Sequence, residues 1–145
     1  MEIDNYIEVR VDDQIKWYDR KSGWNKFYFH LFKVFEILFA SILVLLSIFF
    51  KSSEMLPYIA GSFGASITII ASLQSIFKFQ EKWTQYRSTS EILKNEKFIF
   101  LNLTGIYINI ETPNKLFVER IEFIIAKENS NWQQFITQNE NKKTK

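Results

Sequence analysis

The chain has 145 residues, of which 23% are charged, and its net charge is +2. This length is typical of one compact unit, and so small a net charge does not indicate nucleic acid as a partner. The absence of cysteine excludes disulfides, thiolate metal ligands and cysteine nucleophiles. We therefore expect a single domain over residues 1–145, with no cofactor.

The first predicted element is a cytoplasmic helix over residues 5–30. Its apolar and small side chains recur every three or four positions, which is the spacing of one helix face. That face continues to the next element and comprises Ile7, Val11, Ile15, Tyr18, Ser22, Asn25, Phe29 and Phe32.

The stretch RVDDQIKWYDRKS carries seven charged residues in thirteen and three aspartates. Asp12, Asp13 and Asp19 are candidates for acid–base or metal chemistry. However, helix neighbours offer local cations, Lys16 for Asp12 and Arg10 for Asp13. We interpret these carboxylates as part of a charge network that stabilises a helical stem.

Two apolar blocks follow, and they predict transmembrane helices over residues 31–50 and 55–77. No residue from Ile37 to Phe50 is charged, and eleven of the fourteen are Ile, Leu, Val or Phe. That composition favours membrane insertion by about 3–7 kcal/mol. The second block is also uncharged but richer in Gly, Ala, Ser and Thr. Both are close to the ~20 residues needed to cross a bilayer.

A stripe of small and hydroxylated side chains runs along the second block. Such residues either allow close packing against the first span or line an aqueous lumen when several copies assemble. The sequence leaves both readings open for Gly61, Ala65, Thr68, Ser72 and Ser75. Glu36, at the edge of the first block, is either a residue that reaches the headgroups, the favoured reading, or a charge at a pore mouth.

Basic residues flank the pair of blocks on one side. Ten lysines and arginines lie within about twenty residues of the outer ends, whereas only Lys51 lies in the connecting loop. This asymmetry predicts that both termini are cytoplasmic.

Two more helices are predicted after the blocks, a cytoplasmic helix over residues 78–103 and a C-terminal amphipathic helix over 116–137. The apolar face of the first is Phe79, Trp83, Tyr86, Ser90, Leu93, Lys97 and Phe100; that of the second is Phe117, Ile121, Ile124, Glu128, Trp132 and Phe135. The predicted fold is thus an all-α membrane protein, a two-transmembrane helical hairpin extended by a cytoplasmic helical bundle.

An antiparallel stem of this kind fixes which residues face each other. If the membrane boundaries are level, facing residue numbers sum to about 111. Tyr28 then lies near Trp83, Trp24 stacks on Arg87, and Arg20 pairs with Glu91. The residues predicted to direct stem assembly are Asp12, Asp13, Trp17, Tyr18, Arg20, Trp24, Trp83, Tyr86, Arg87 and Glu91.

The chain offers no constellation typical of catalysis. His30 is its single histidine, so a triad or a zinc site built on histidine has no partner residues. We expect a packing or interfacial role for His30, no metal site, and no enzymatic activity.

Two motifs carry a resemblance to a known family. RVDDQIKWYDRKS at residues 10–22 and WTQYRSTSEILKNE at residues 83–96, placed either side of two spans and followed by Trp132, resemble the SLATT family, in its branch catalogued as a domain of unknown function. The likeness runs from Tyr6 to Trp132. It implies a two-transmembrane effector of bacterial conflict systems that forms pores during phage attack, and it implies no catalytic residues.

The expected function is therefore an oligomeric pore-forming effector in the bacterial inner membrane, contacting lipid and further copies of itself. The resemblance adds a cytoplasmic nucleotide-signalling partner or a small nucleotide as trigger. The alternative is a non-conducting scaffold or sensor that recruits a cytoplasmic partner through its stem.

Overall fold

Every regular element in the described part of the chain is a helix. The computed structural model describes residues 2–49 and 53–143, with side chains up to Glu128. The elements are α1 (Ile3–Tyr6), a π turn (Ile7–Asp12), α2 (Asp13–Phe49), α3 (Leu56–Phe77), α4 (Phe79–Leu101), a 3-10 turn (Gly105–Tyr107) and α5 (Pro113–Lys143). The all-α class predicted from the sequence is confirmed over these residues.

The chain divides into two compact units, and α2 and α4 contribute to both. The bundle unit joins residues 1–20 to residues 85–145, and the hairpin unit holds residues 21–84. The prediction of a single domain over residues 1–145 stays a prediction.

Most of the core of the bundle unit lies on the faces predicted from helical spacing, but Tyr107 and Ile125 of the core were not predicted and the predicted Ile124 is only half-buried. The fully buried residues include Val11, Leu93, Phe117 and Ile121. The π turn, α4 and α5 therefore each contribute apolar side chains to a common centre. The rings of Phe100 and Phe117 stack there with centroids 4.1 Å apart. The full cluster is Ile7, Val11, Ile15, Tyr18, Leu93, Phe100, Tyr107, Phe117, Ile121 and Ile125. Trp132 and Phe135, predicted on the α5 face, lie outside the described side chains.

The π turn follows from the spacing of the first apolar residues. Ile3, Ile7, Val11 and Ile15 stand four apart, and each such step overshoots one turn of an α-helix by about 40°. A π turn holds more residues per turn, so it takes up this drift. Ile7, Val11 and Ile15 all remain buried as a result.

The hairpin unit packs the apolar part of α2 against α3. The half-buried positions of α2 include Phe32, Glu36, Phe39 and Leu43, which are spaced three or four apart. Phe39 meets Phe63 of α3 edge-on, with ring centroids 5.3 Å apart.

Most of the remaining apolar surface of the hairpin unit is uncovered. The helical stretches Ile3–Phe49 and Leu56–Tyr107 each contain an 18-residue window apolar enough to cross a membrane, and none of either window is buried inside the protein. A core helix of a soluble protein would bury such a window. Both stretches are therefore candidate membrane spans.

α3 ends at a residue with a left-handed backbone. Lys78 caps the helix at φ 49° and ψ 45°, and its backbone N–H bonds to the carbonyl of Gln74. α4 begins at the next residue. At the other end of α3, Pro57 stands in the first turn, where its missing N–H leaves no helix bond unmade.

Candidate functional site

The small-residue stripe of α3 is exposed along its whole length. This holds for all five of its members, Gly61, Ala65, Thr68, Ser72 and Ser75. The half-buried face of α3 carries Ala60, Phe63, Ile67 and Ile70 instead. Packing within one chain thus uses a different face of α3, and the stripe is left for lipid, water or another molecule.

The hydroxyls of the stripe bond to their own helix. The Thr68 hydroxyl donates to the Gly64 carbonyl at 2.9 Å, and the Ser72 hydroxyl donates to the Thr68 carbonyl at 2.8 Å. These bonds satisfy the hydroxyl hydrogens inside the helix. The stripe consequently presents a smooth, weakly polar surface of oxygen acceptors.

Glu36 faces α3 within the hairpin unit. Its carboxylate accepts a hydrogen bond from Lys33 Nζ at 2.9 Å and another from the Gln74 amide at 3.4 Å. Its side chain is 24% exposed. A local cation and an amide therefore hold this charge at the edge of the apolar helices; whether it lies at a pore mouth stays a prediction.

Aromatic side chains fill the polar end of the hairpin unit. Trp83 stacks near Phe29 with centroids 6.4 Å apart, and His30 lies 6.0 Å from the same indole. Lys26 Nζ lies 5.6 Å from the Trp83 ring, within reach of a cation–π interaction. His30 thus has aromatic neighbours, in keeping with the packing role expected for it.

Trp24 stacks on Tyr28 of its own helix, 6.1 Å away. Tyr28 in turn contacts Phe79, with ring centroids 5.8 Å apart, whereas Trp83 stacks on Phe29. The predicted Tyr28–Trp83 neighbours are displaced by one residue.

One hydrogen-bonded pair in each unit fits the predicted antiparallel register. Glu36 bonds to Gln74 in the hairpin unit. Lys97 Nζ bonds to Asp12 at 2.6 Å in the bundle unit. Both pairs have residue numbers that sum to about 111, as expected for an antiparallel stem.

The local partners predicted for the aspartates were wrong. Asp12 pairs with Lys97 rather than Lys16. Asp13 lies 3.9 Å from Lys16 and is exposed, and Arg10 is bound in a fork by Glu122 at 3.0 Å. Asp12 and Arg10 pair with residues of other helices because these pairs are partly screened from water, and an ion pair is stronger in less polar surroundings.

Asp19 takes the position that the sequence assigned to Arg20. The Ser90 hydroxyl donates to its carboxylate at 2.6 Å, and Lys94 Nζ lies 2.8 Å away. Arg87 lies 3.6 Å from Asp19 and 2.9 Å from Glu91. Burial raises the pKa of Asp19, but Lys94 and Ser90 outweigh burial and hold it below its ordinary value.

The predicted Arg20–Glu91 pair is therefore wrong. Glu91 pairs with Arg87 and Lys94, whereas Arg20 is exposed. Asp19 is half-buried beside the buried Tyr18, whereas Arg20 is exposed. Asp19 is therefore the side chain that contacts α4.

Three of the predicted stem aromatics, Trp17, Tyr18 and Tyr86, lie in the bundle unit. Trp17 contacts Tyr18 and Tyr86 edge-on, with centroids 5.0 and 5.6 Å apart. Tyr18 is 2% exposed, and its hydroxyl donates to Glu128 at 3.2 Å. The ring contacts join α2 to α4, and the Tyr18 hydroxyl joins α2 to α5.

Sequence reasoning missed a buried carboxylate that holds three elements together. Glu96 is 5% exposed, and it accepts bonds from Arg120 of α5 and from the Tyr107 hydroxyl. Burial raises the pKa of Glu96, yet Arg120 and Tyr107 together hold it below its ordinary value. Glu96 stands three residues after Leu93 and four before Phe100, and that helical spacing was the available signal.

Glu128 is a second buried carboxylate, and its pKa shifts in the opposite direction from that of Glu96. It is 8% exposed and accepts bonds from Tyr18 and from the Gln85 amide at 3.3 Å. No cation is among these two partners, so burial raises the pKa of Glu128 above its ordinary value. Its place in the predicted α5 stripe was the available signal.

Comparison with known proteins places most of the chain in one family. Residues 13–115 match the model of a family described as a protein of unknown function, DUF4231. The chain belongs to this family. No curated protein and no solved structure matches the chain.

Proposed function

We propose that this DUF4231 chain is an oligomeric two-transmembrane membrane effector whose copies form or gate a pore. Within the family, we assign it to the SLATT type, on the strength of RVDDQIKWYDRKS and WTQYRSTSEILKNE. Its setting is then a bacterial anti-phage or conflict system, and its action is permeabilisation of the inner membrane.

One observation carries the proposal: both apolar windows have 0% of their residues buried in the chain. Exposing so much apolar surface to water is unfavourable by about 25 cal/mol per Å². A bilayer removes this cost. Since two helices cannot enclose a channel, conduction also requires several copies.

The exposed stripe of α3 suits the inner surface of such an assembly. Thr68 and Ser72 present acceptor oxygens there, and Gly61 and Ala65 let a neighbouring backbone approach closely. Contacts between Phe39 and Phe63 hold the hairpin without using the stripe. The same surface therefore remains available to other copies and to water.

The bundle unit is the part assigned to receive the trigger. With both termini in the cytoplasm, its ion pairs and aromatic contacts lie in water on that side. A nucleotide-signalling partner or a small nucleotide acting there would be the input, and the hairpin unit would be the output.

The alternative is a non-conducting scaffold that recruits a cytoplasmic partner. The exposed apolar side chains of the bundle unit favour it, since Phe98 and Phe123 are both 67% exposed and Ile92 is 49% exposed. Groups of this kind mark interaction surfaces on many proteins.

Leakage from liposomes separates the two functions. Purified full-length protein is reconstituted in dye-loaded vesicles, with and without candidate nucleotides, and release is followed by fluorescence. The pore proposal predicts release that rises with protein density. Sealed vesicles at every density, with the protein verified as inserted, would favour the scaffold.

A further inference from the structure

A groove with two lysines lies at the polar end of the hairpin unit. It has a volume of about 350 Å³, and its lining includes Lys33 of α2, Gln74 and Ser75 of α3, Lys78 and Gln80, with Phe29 and the carboxylate Glu81 completing it. The lysine, glutamine and serine side chains each carry a hydrogen-bond donor. The groove is therefore equipped to bind a compact group rich in acceptor oxygens.

The backbone at Lys78 builds one wall of the groove. Its left-handed conformation, φ 49°, ends α3 and lets α4 begin at Phe79. A non-glycine residue in this region is uncommon because its Cβ crowds the backbone. The sequence nevertheless places a lysine here, and Lys78 lines the groove.

Two carboxylates compete for the lysines, Glu81 within the lining and Glu36 beside the groove. Glu81 lies 3.5 Å from Lys78 and is 57% exposed, and Glu36 lies 2.9 Å from Lys33, which is 51% exposed. An ion pair with one partner this exposed to water contributes little to stability. A doubly liganded anion can replace them at little cost.

The apolar surface next to the groove indicates which molecule carries that anion. Ile76 is 67% exposed, Phe77 47% and Val34 52%, and they precede or follow the two lysines in the chain. A ligand that reaches both regions has a charged head and hydrocarbon tails. A soluble phosphate would use only the polar part.

We propose that this groove binds the phosphate headgroup of an anionic phospholipid, with Lys33 and Lys78 as the charged contacts and Gln74, Ser75 and Gln80 as neutral donors. The inference rests on the proposed insertion of the hairpin unit in a membrane. Lysines near a membrane surface attract anionic lipid.

The test measures lipid bound to the purified full-length chain in a neutral detergent by native mass spectrometry. Phosphatidylglycerol, phosphatidylcholine and inorganic phosphate are titrated separately. The groove variant combines Lys33→Gln with Lys78→Asn, because asparagine tolerates the left-handed backbone. The control variant, Lys16→Gln with Lys115→Gln, removes the same charge from exposed positions outside the groove.

The wild type is expected to bind phosphatidylglycerol in preference to phosphatidylcholine, and the groove variant to bind it about tenfold or more weakly. The control variant is expected to bind like the wild type. Equal losses in both variants, or no loss in the groove variant with unchanged helical circular dichroism, would overturn the proposal. Binding of inorganic phosphate as tight as that of the lipid would overturn the lipid source.

Failure of the proposed function gives a different result. Resistance of the wild-type chain to alkaline extraction from membranes reports insertion, and vesicle leakage reports the pore. A chain that inserts and leaks but shows no lipid preference contradicts only the groove. A chain that is extracted by alkali contradicts the membrane assignment itself.

Discussion

Glu128 and Glu122 show how one residue type acts in opposite directions within the bundle unit. The Arg10 fork, strengthened by Tyr6, lowers the pKa of Glu122 despite partial burial. Burial raises the pKa of Glu128, and the bond from Tyr18 only partly opposes it. The ionised form of Glu122 therefore stabilises the fold, whereas the ionised form of Glu128 opposes it.

These shifts set two pH windows for the stability of the bundle unit. A lowered folded pKa gives stability that is present above the unfolded value of 4.5 and lost as pH falls through the folded value. A raised folded pKa gives stability that is present below 4.5 and lost as pH rises through the folded value. Acid should thus weaken the Glu122 contribution and strengthen that of Glu128.

Replacing Glu128 with glutamine should stabilise the bundle unit at pH 7. The amide keeps an acceptor for the Tyr18 hydroxyl and removes the buried charge, so we expect the melting temperature to rise by a few degrees, about 2–5 °C. The gain should shrink as pH falls, because burial raises the pKa of Glu128 and the wild-type carboxyl therefore becomes protonated above its ordinary range. Near-ultraviolet circular dichroism against temperature measures it.

Glu119→Gln is the matched control on the same helix, since Glu119 is 62% exposed. It should leave the melting temperature unchanged within about 1 °C. A lower melting temperature for Glu128→Gln at pH 7 would mean that the ionised carboxylate stabilises the fold, which contradicts a raised pKa for Glu128.

At the scale of an element, the stripe of α3 has a role that side-chain size can test. Thr68→Leu combined with Ser72→Leu adds bulk and removes two acceptor oxygens from an exposed face. If the stripe lines a lumen, vesicle leakage should fall about tenfold or more because hydrophobic constrictions dewet. The chain should still assemble, since neither residue lies on the half-buried face of α3.

Ser41→Leu combined with Ser47→Leu is the control for the stripe. These hydroxyls also bond to their own helix, and both are exposed on α2. Leakage by this variant should match the wild type. Unchanged leakage from the stripe variant would show that the stripe contacts only lipid or protein.

The buried faces of the helices were predictable from the sequence, whereas the ion-pair partners of individual side chains were not. Spacings of three and four identified the buried face through Val11, Tyr18 and Leu93, because packing of an amphipathic helix follows its period. The partners of Arg10 and Asp12 came from other helices, and a single sequence carries no signal for which helix lies beside which.

Two backbone features also escaped prediction. The π turn was readable in the four-residue spacing from Ile3 to Ile15, had that spacing been compared with 3.6 residues per turn. The boundary after Phe77 was predicted from the end of the apolar block, but nothing at Lys78 gave a signal for its left-handed backbone, because neither glycine nor asparagine stands there.

At the scale of the whole molecule, the cysteine-free chain allows a direct test of topology. Ser53→Cys places a thiol in the loop between α2 and α3, and Ser88→Cys places one on an exposed position of α4. A membrane-impermeant maleimide should label the first in intact spheroplasts and the second only after lysis. Labelling in the reverse order would put both termini outside and contradict the positive-inside prediction.

Several copies of the chain are expected to assemble in the membrane, and the number of copies can be measured. One chain has a mass of 17.3 kDa, and a lumen cannot form between two helices. Native mass spectrometry of the detergent-solubilised full-length protein should therefore give a defined multiple of this mass. A single species at the mass of one chain, at all protein concentrations and in detergents that preserve helicity, would contradict the account.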